Sequence, residues 1–381
     1  MAIYLVLMVG ILLAGRVFDV EGDRQRRKYY VIAVTAVFIL LGSLRGWEVG
    51  ADTPQYVRAF GLASTYSWNT VFVLRYEKGY TVLIKTLSML TENPQILLVV
   101  TSIFNFSAIG YFIYKESEDT ALSFVFFMEL ATFSMLLNAM RQALATAVIL
   151  FGYELFLKKG YRFRYLLTIV LAMSFHNSGI MGVFFFFPRL IPQKYGQYSK
   201  KTLGWILLAG IFVAVAAKAL FSVLVRVLIN YVSYQDSVYA SSNYFGSVIL
   251  AAMTLGTLML GMMYLPGKEP EDFLGRGSVY IRPVEVVQPL DPVINDWFWM
   301  VSINFVLNLS SMQLLVFDRL RMYFEPFIFL LLPWALSREG NQKTRFIEQS
   351  LSVIVLLIYF IICNVLRPDW TGIIPYQFFW Q

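Results

Sequence analysis

Charge is scarce in this chain. Only 14% of its 381 residues are Asp, Glu, Lys or Arg, against about 25% in soluble domains. It has one cysteine, Cys363, and one histidine, His176. A single cysteine excludes disulfides and thiolate metal sites within the chain, and no His/Cys spacing suits a metal. There is no P-loop, no dinucleotide fingerprint and no Gly-x-Ser-x-Gly elbow, so ATP-driven transport and serine hydrolysis are disfavoured. What is present is apolar: 58% of the residues are hydrophobic, with 33 Phe and 23 Tyr. This is the composition of a polytopic, all-α membrane helix bundle. Its residues are mostly spans, so 1–381 reads as one integral membrane domain. The net charge of +7 does not point to nucleic acid, because the basic residues cluster in short loops.

Apolar runs place spans at 1–15, 29–44, 95–114, 120–137, 143–157, 202–228, 245–265, 297–317, 322–336 and 349–366. Residues 1–15 have their basic cluster after them and no small-residue cleavage site, so they read as a first span rather than a signal peptide. The stretch 163–188 reads as two short helices broken at His176-Asn177-Ser178-Gly179. The loop holding Arg16, Arg24, Arg26, Arg27 and Lys28 should be cytoplasmic. The basic loop Lys158–Arg164 joins it only if 79–91 stays on the outer surface. The region near 57–91 is therefore read as re-entrant or amphipathic. This gives about 12 membrane segments by the length rule, a polar cytoplasmic loop at 266–296, and both ends outside.

The arginines left outside break the positive-inside pattern: Arg45, Arg58, Arg75, Arg141, Arg319, Arg321 and Arg367. Guanidinium forks match phosphate and carboxylate geometry. The simpler reading is that they anchor to headgroups or pair with Glu48, Asp52, Glu77 and Asp318. Arg141 is the exception. In Asn138-Ala-Met-Arg141-Gln142 it lies between two apolar runs, where a charge costs from about 2.5 to over 10 kcal/mol. An anionic ligand or partner is expected there.

Other polar groups share the outer side. His176 stands at a helix break beside Asn177 and Ser178, with an unperturbed pKa of about 6.5 suited to proton transfer. A lone histidine is more often a satisfied core residue. The turn Gly50-Ala51-Asp52-Thr53-Pro54 presents Asp52 and Thr53, either of which would cap the following helix. Glu77-Lys78-Gly79-Tyr80 reads as a helix start. In Asp318-Arg319-Leu-Arg321-Met-Tyr323-Phe-Glu325, the i,i+4 spacing predicts an Arg321–Glu325 pair. The tail, 373–381, reads as an aromatic interfacial segment.

These blocks, in this order, resemble the EpsG-like family of bacterial exopolysaccharide and O-antigen polymerases, akin to the Wzy proteins. The matching residues are Arg45…Val49-Gly50-Ala51-Asp52-Thr53…Tyr56, Glu77-Lys-Gly79-Tyr80, Asn138-Ala-Met-Arg141-Gln142-Ala-Leu-Ala145 and Phe175-His176-Asn177-Ser178. Arg319 to Tyr323 and Pro375-Tyr376 fit more loosely. The chain departs from the pattern at Asn177 and in its long loop 266–296.

The resemblance implies a glycosyltransferase of the bacterial cytoplasmic membrane, multi-pass, with its site facing the periplasm or exterior. An oligosaccharide repeat on undecaprenyl pyrophosphate would be transferred to the hydroxyl of another lipid-linked unit. The donor is already activated, so no cofactor is needed. Membrane lipid, a flippase and a chain-length regulator are the implied partners. Arg141 and Arg321, then Arg45 and Arg319, would hold the pyrophosphate. His176, Asp52 and Glu77 are rival bases. Asn138, Gln142, Thr53 and Ser178 line the site, and Tyr56, Tyr80, Tyr323 and Trp47 would stack on sugars. An O-antigen ligase-like transferase and a transporter of lipid-linked sugars are the competing readings.

Overall fold

The computed structural model describes residues 1–190, 199–219, 244–265 and 293–381. Most of the polar loop 266–296 and the end of the expected span 202–228 lie outside the described residues. The described residues are helical apart from turns and one isolated bridge, and they form two compact units: Met1–Phe184 with Glu339–Gln381, and Phe185–Arg338.

The first unit opens with α1 (Ala2–Val17) and α2 (Arg24–Ser43). Two shorter helices follow, α3 (Thr53–Thr65) and α4 (Lys78–Ser88). Eleven residues of α4 reach only about 16 Å, too short to cross a bilayer. Its buried face, with Tyr80, Ile84 and Leu87, packs with Tyr56, Phe60, Leu97 and Leu98, as an amphipathic segment should. Then come α5 (Gln95–Glu116), α6 (Thr120–Glu129), α7 (Ala131–Asn138), α8 (Met140–Gly152) and α9 (Arg162–Phe175). The expected single span 120–137 is instead bent by 59° between α6 and α7. The end of α8 continues through a π turn at Tyr153–Leu157. After α9 a 3-10 helix runs over Asn177–Arg189.

Helices α2 and α6 have side-chain caps. Asp23 accepts from the Gln25 and Arg26 amides, both at 3.2 Å, and Asp119 from the Leu122 amide at 2.9 Å. These bonds satisfy first-turn donors that lipid could not. At the same ends, Lys158 Nζ bonds both Glu116 and Glu154. Lys158 and the two glutamates thus enter the apolar unit as a paired group.

The second unit holds α10 (Lys200–Val215), α11 (Tyr244–Met263), α12 (Val293–Ser311), the short α13 (Val316–Leu320) and α14 (Ile328–Ser337). A polar spine runs inside it. Asn308 Nδ2 donates to Asn304 Oδ1 at 2.8 Å and to Thr254 Oγ1 at 3.2 Å, and Ser311 donates to Ser247 at 2.7 Å. The Asn308–Thr254 and Ser311–Ser247 bonds join α12 to α11 and hold the helices together where lipid tails supply no hydrophobic drive. The chain returns to the first unit with α15 (Gln342–Ile361), which ends in a π turn at Ile362–Leu366.

Among the described residues, Gln95–Glu116, Met140–Leu157, Phe245–Met263 and Gln342–Leu366 are long and apolar enough to cross a membrane. The bent α6–α7 pair makes a fifth if it counts as one span. The larger number read from hydropathy is not reached by this measure, because several apolar runs fold as shorter helices: Ala2–Val17, Asn177–Pro188 and Glu325–Ser337.

Candidate functional site

Arg141 sits at a true break. Helix α7 ends at Asn138, Ala139 leaves helical geometry (φ −85°, ψ 63°), and α8 begins at Met140 with no side-chain cap. Arg141 thus occupies the first turn, where the positive end of the helix dipole adds to its own charge. Its Nη1 is bonded to Glu77 Oε2. Its guanidinium carbon lies 4.8 Å from the centre of the Tyr76 ring, and the Tyr56 side chain hydrogen-bonds the same group. The Nε is buried without a partner. The Arg141 and Glu77 side chains are 21% and 13% exposed, so water screens the pair less than it would a surface pair.

Glu77 reaches this place because α4 lies unusually close to the end of α9. A Cβ on Gly79 would fall 2.8 Å from the Ser174 carbonyl oxygen, a distance only glycine avoids. With the helices so close, Glu77 Oε1 accepts the Asn177 backbone N–H at 3.2 Å. One carboxylate therefore ties the start of α8 to the break after α9.

At that break His176 is extended (φ −156°, ψ 129°). Its Nδ1 accepts the Ser178 backbone N–H at 3.2 Å and lies 2.6 Å from Ser178 Oγ. A backbone N–H can only donate, so Nδ1 of the neutral ring is an acceptor and the ring proton is on Nε2. In this tautomer His176 presents a donor.

The Gly50–Thr53 turn is clamped from two sides. Gly50 has φ +99°, and a Cβ there would meet the Leu137 carbonyl oxygen at 2.7 Å, so glycine is required. The Asp52 backbone N–H donates to Asn138 Oδ1 at 2.6 Å, and Thr53 Oγ1 donates to the Val49 carbonyl at 2.9 Å. Asp52 holds the N-cap position of α3 without a side-chain cap bond, and neither Asp52 nor Thr53 caps through its side chain. The local turn supplies the bonds instead.

From the other side, the Gly50 and Ala51 amides donate to the Gly372 and Thr371 carbonyls at 2.8 and 3.0 Å. Thr371 in turn donates to Asn364 Oδ1 at 2.8 Å, which also accepts from Ser134 at 3.0 Å. The π turn at Ile362–Leu366 thus aims Asn364 at the tail.

Arg45 lies beneath this tail, only 1% exposed, and Nη1 donates to the Gly42 carbonyl at 2.8 Å. Burial pushes its guanidinium down to about 10, opposed by Tyr376 and Tyr4 nearby. Its backbone pairs with Phe378 in an antiparallel bridge.

Several expected residues have structural surroundings. Gln142 is buried. Tyr80 is fully buried between Tyr56 and Tyr76, with ring centres at 5.8 and 5.4 Å. Tyr56 and Tyr80 thus build the wall under Arg141 rather than an open face for a sugar. Trp47 is 44% exposed and donates to Gln95 Oε1 at 2.8 Å. In the second unit, Arg321 is 4% exposed and paired with Asp318 at 2.8 Å and with Glu325. The expected i,i+4 pair is present, with Asp318 as a second counterion. Tyr323 is buried and Arg319 partly exposed in the same segment. Sequence reading missed Tyr76, Asn364 and the tail clamp. Among the described residues no group of three His, Cys, Asp or Glu could hold a metal ion.

Long apolar helices, buried polar spines and an uncapped helix start bearing a sheltered arginine define an all-helical membrane protein. The model of the EpsG family matches residues 28–378. The chain belongs to the EpsG family, and membership implies a role of the polysaccharide-polymerase type. No curated protein and no solved structure matches it.

Proposed function

We propose that this protein polymerises undecaprenyl-pyrophosphate-linked oligosaccharide repeats at the outer face of the bacterial cytoplasmic membrane. The hydroxyl of one lipid-linked unit attacks the anomeric carbon of another, and lipid pyrophosphate leaves with inversion at that carbon. The observation that carries this reading is Arg141. A guanidinium at an uncapped helix start, stacked on Tyr76 and with Nε unsatisfied, suits a leaving group whose negative charge grows as the bond breaks.

His176, through Nε2–H, donates to the pyrophosphate or orients the acceptor. The clamped turn Gly50–Thr53 and Asn138 form the neighbouring wall. Orientation follows the charge pattern, with the basic loops inside and about 12 membrane segments, several of them shorter than a full span. The test is reconstitution with purified lipid-linked repeat, following polymer length on gels. Wild type is expected to build a ladder, and Arg141→Ala and His176→Ala to lose it. Full polymerisation by both variants overturns the site assignment.

A further inference from the structure

Arg141 already holds an anion, and the chain itself supplies it. Glu77 gives Oε2 to the guanidinium and Oε1 to the Asn177 N–H. A pyrophosphate offers more charge and more oxygens to the same fork than a carboxylate does. It would compete for the Nη1 donor and could also satisfy the orphan Nε.

We propose that Glu77 is a displaceable occupant of the Arg141 site, and that the carboxylate freed by incoming pyrophosphate is the base for the acceptor hydroxyl. This deepens the polymerase reading and rests on it. The His176 tautomer supports it: with Nδ1 accepting the Ser178 N–H, the neutral imidazole is a donor, and proton acceptance falls to a carboxylate. Glu77 is the one bonded to Arg141.

The step balances. The acceptor O–H proton passes to a Glu77 carboxylate oxygen as the new O–C bond forms at the anomeric carbon. The bond from that carbon to the phosphate oxygen breaks, and its electron pair leaves on the lipid pyrophosphate held by Arg141. Glu77 then loses its proton to water and pairs with Arg141 again, which expels the product. Because the other Glu77 oxygen is bonded beside His176, the same displacement signals donor arrival to the break after α9.

The test uses the full chain in lipid nanodiscs, with inorganic pyrophosphate as the binding probe and polymerisation of lipid-linked repeat measured on the same preparation. Glu77→Gln keeps the size of the side chain and an acceptor oxygen for Asn177. It is expected to bind pyrophosphate about tenfold more tightly, to lower KM for the lipid-linked repeat, and to cut kcat by about 10² to 10⁴. Glu77→Asp should recover part of kcat. If Glu77→Gln does not fold, Glu77→Asp, whose shorter reach weakens the pair, should still tighten pyrophosphate binding.

An unchanged or weaker Kd in the variants overturns displacement, as does wild-type pyrophosphate binding by Arg141→Ala. A kcat within about threefold of wild type in Glu77→Gln overturns the base, given the loss expected of general-base removal. A wild-type protein that binds pyrophosphate but builds no polymer overturns the polymerase reading and the base with it, while the Kd comparison still decides displacement.

Discussion

Gly79 approaches Ser174 so closely that a Cβ on the glycine would lie 2.2 Å from the serine Oγ. The hydroxyl could rotate away, but the Ser174 carbonyl at 2.8 Å is backbone and cannot. Gly79→Val is expected to push α4 off α9 at a cost of about 1–3 kcal/mol and to separate Glu77 from Asn177. Thermal unfolding in detergent should fall and polymerisation should fall with it. Wild-type activity in Gly79→Val would show that the Glu77–Asn177 link is dispensable.

Arg141→Lys keeps the charge but loses the planar fork and the guanidinium stacking on Tyr76. Losing about 2 kcal/mol of transition-state stabilisation lowers the rate roughly 30-fold. Steady-state polymerisation measures it. A rate near wild type would mean that simple positive charge suffices.

Asn138 accepts the backbone N–H of Asp52 at 2.6 Å, so Asn138→Ala leaves that amide without its partner. Its expected cost is about 1–3 kcal/mol, read as a lower melting temperature, with slower polymerisation as the Gly50–Thr53 turn loosens. Asn138→Asp retains an acceptor oxygen and should restore part of both.

Glu129 stands at the α6–α7 bend, 1% exposed, and neither carboxylate oxygen has a hydrogen-bond partner among the described residues. An unpaired buried acid is a burden on the fold. Glu129→Met is therefore expected to raise stability by about 1–3 kcal/mol and to leave polymerisation intact. A loss of activity without a loss of stability would reveal work for this acid in the reaction.

The chain's local chemistry was legible in its sequence. A charge between two apolar runs marked the break before Arg141, and a polar cluster marked the one at His176. The spacing of Arg321 and Glu325 gave their ion pair, and Glu77 and Asp318 were already named as counterions. Long-range contacts were not legible. Nothing periodic announces that Tyr76 lies under Arg141 or that Asn364 receives Ser134 and Thr371, because each depends on how distant helices pack. The bend after Glu129 was hidden because 120–137 is apolar on average, so one acid within it does not interrupt the run, and hydropathy cannot distinguish a straight span from a broken one. Tyr56 and Tyr80 looked like sugar platforms by residue type alone. Their burial follows from the α3–α4 packing, which amphipathic spacing indicates only in outline.

The pairing of the tail with residues 44–51 bears on how the protein is made. Tyr376 bonds the Leu41 carbonyl across 335 positions of sequence, and Tyr4 bonds Ile373 across 369. Contacts of such separation close late in folding. The Gly50–Thr53 turn must wait, half-formed, until α15 has been inserted and its following residues have folded back. A chain interrupted before Thr371 would carry Arg141 and His176 yet lack the clamp, so assembly rather than chemistry would decide when the site first becomes competent.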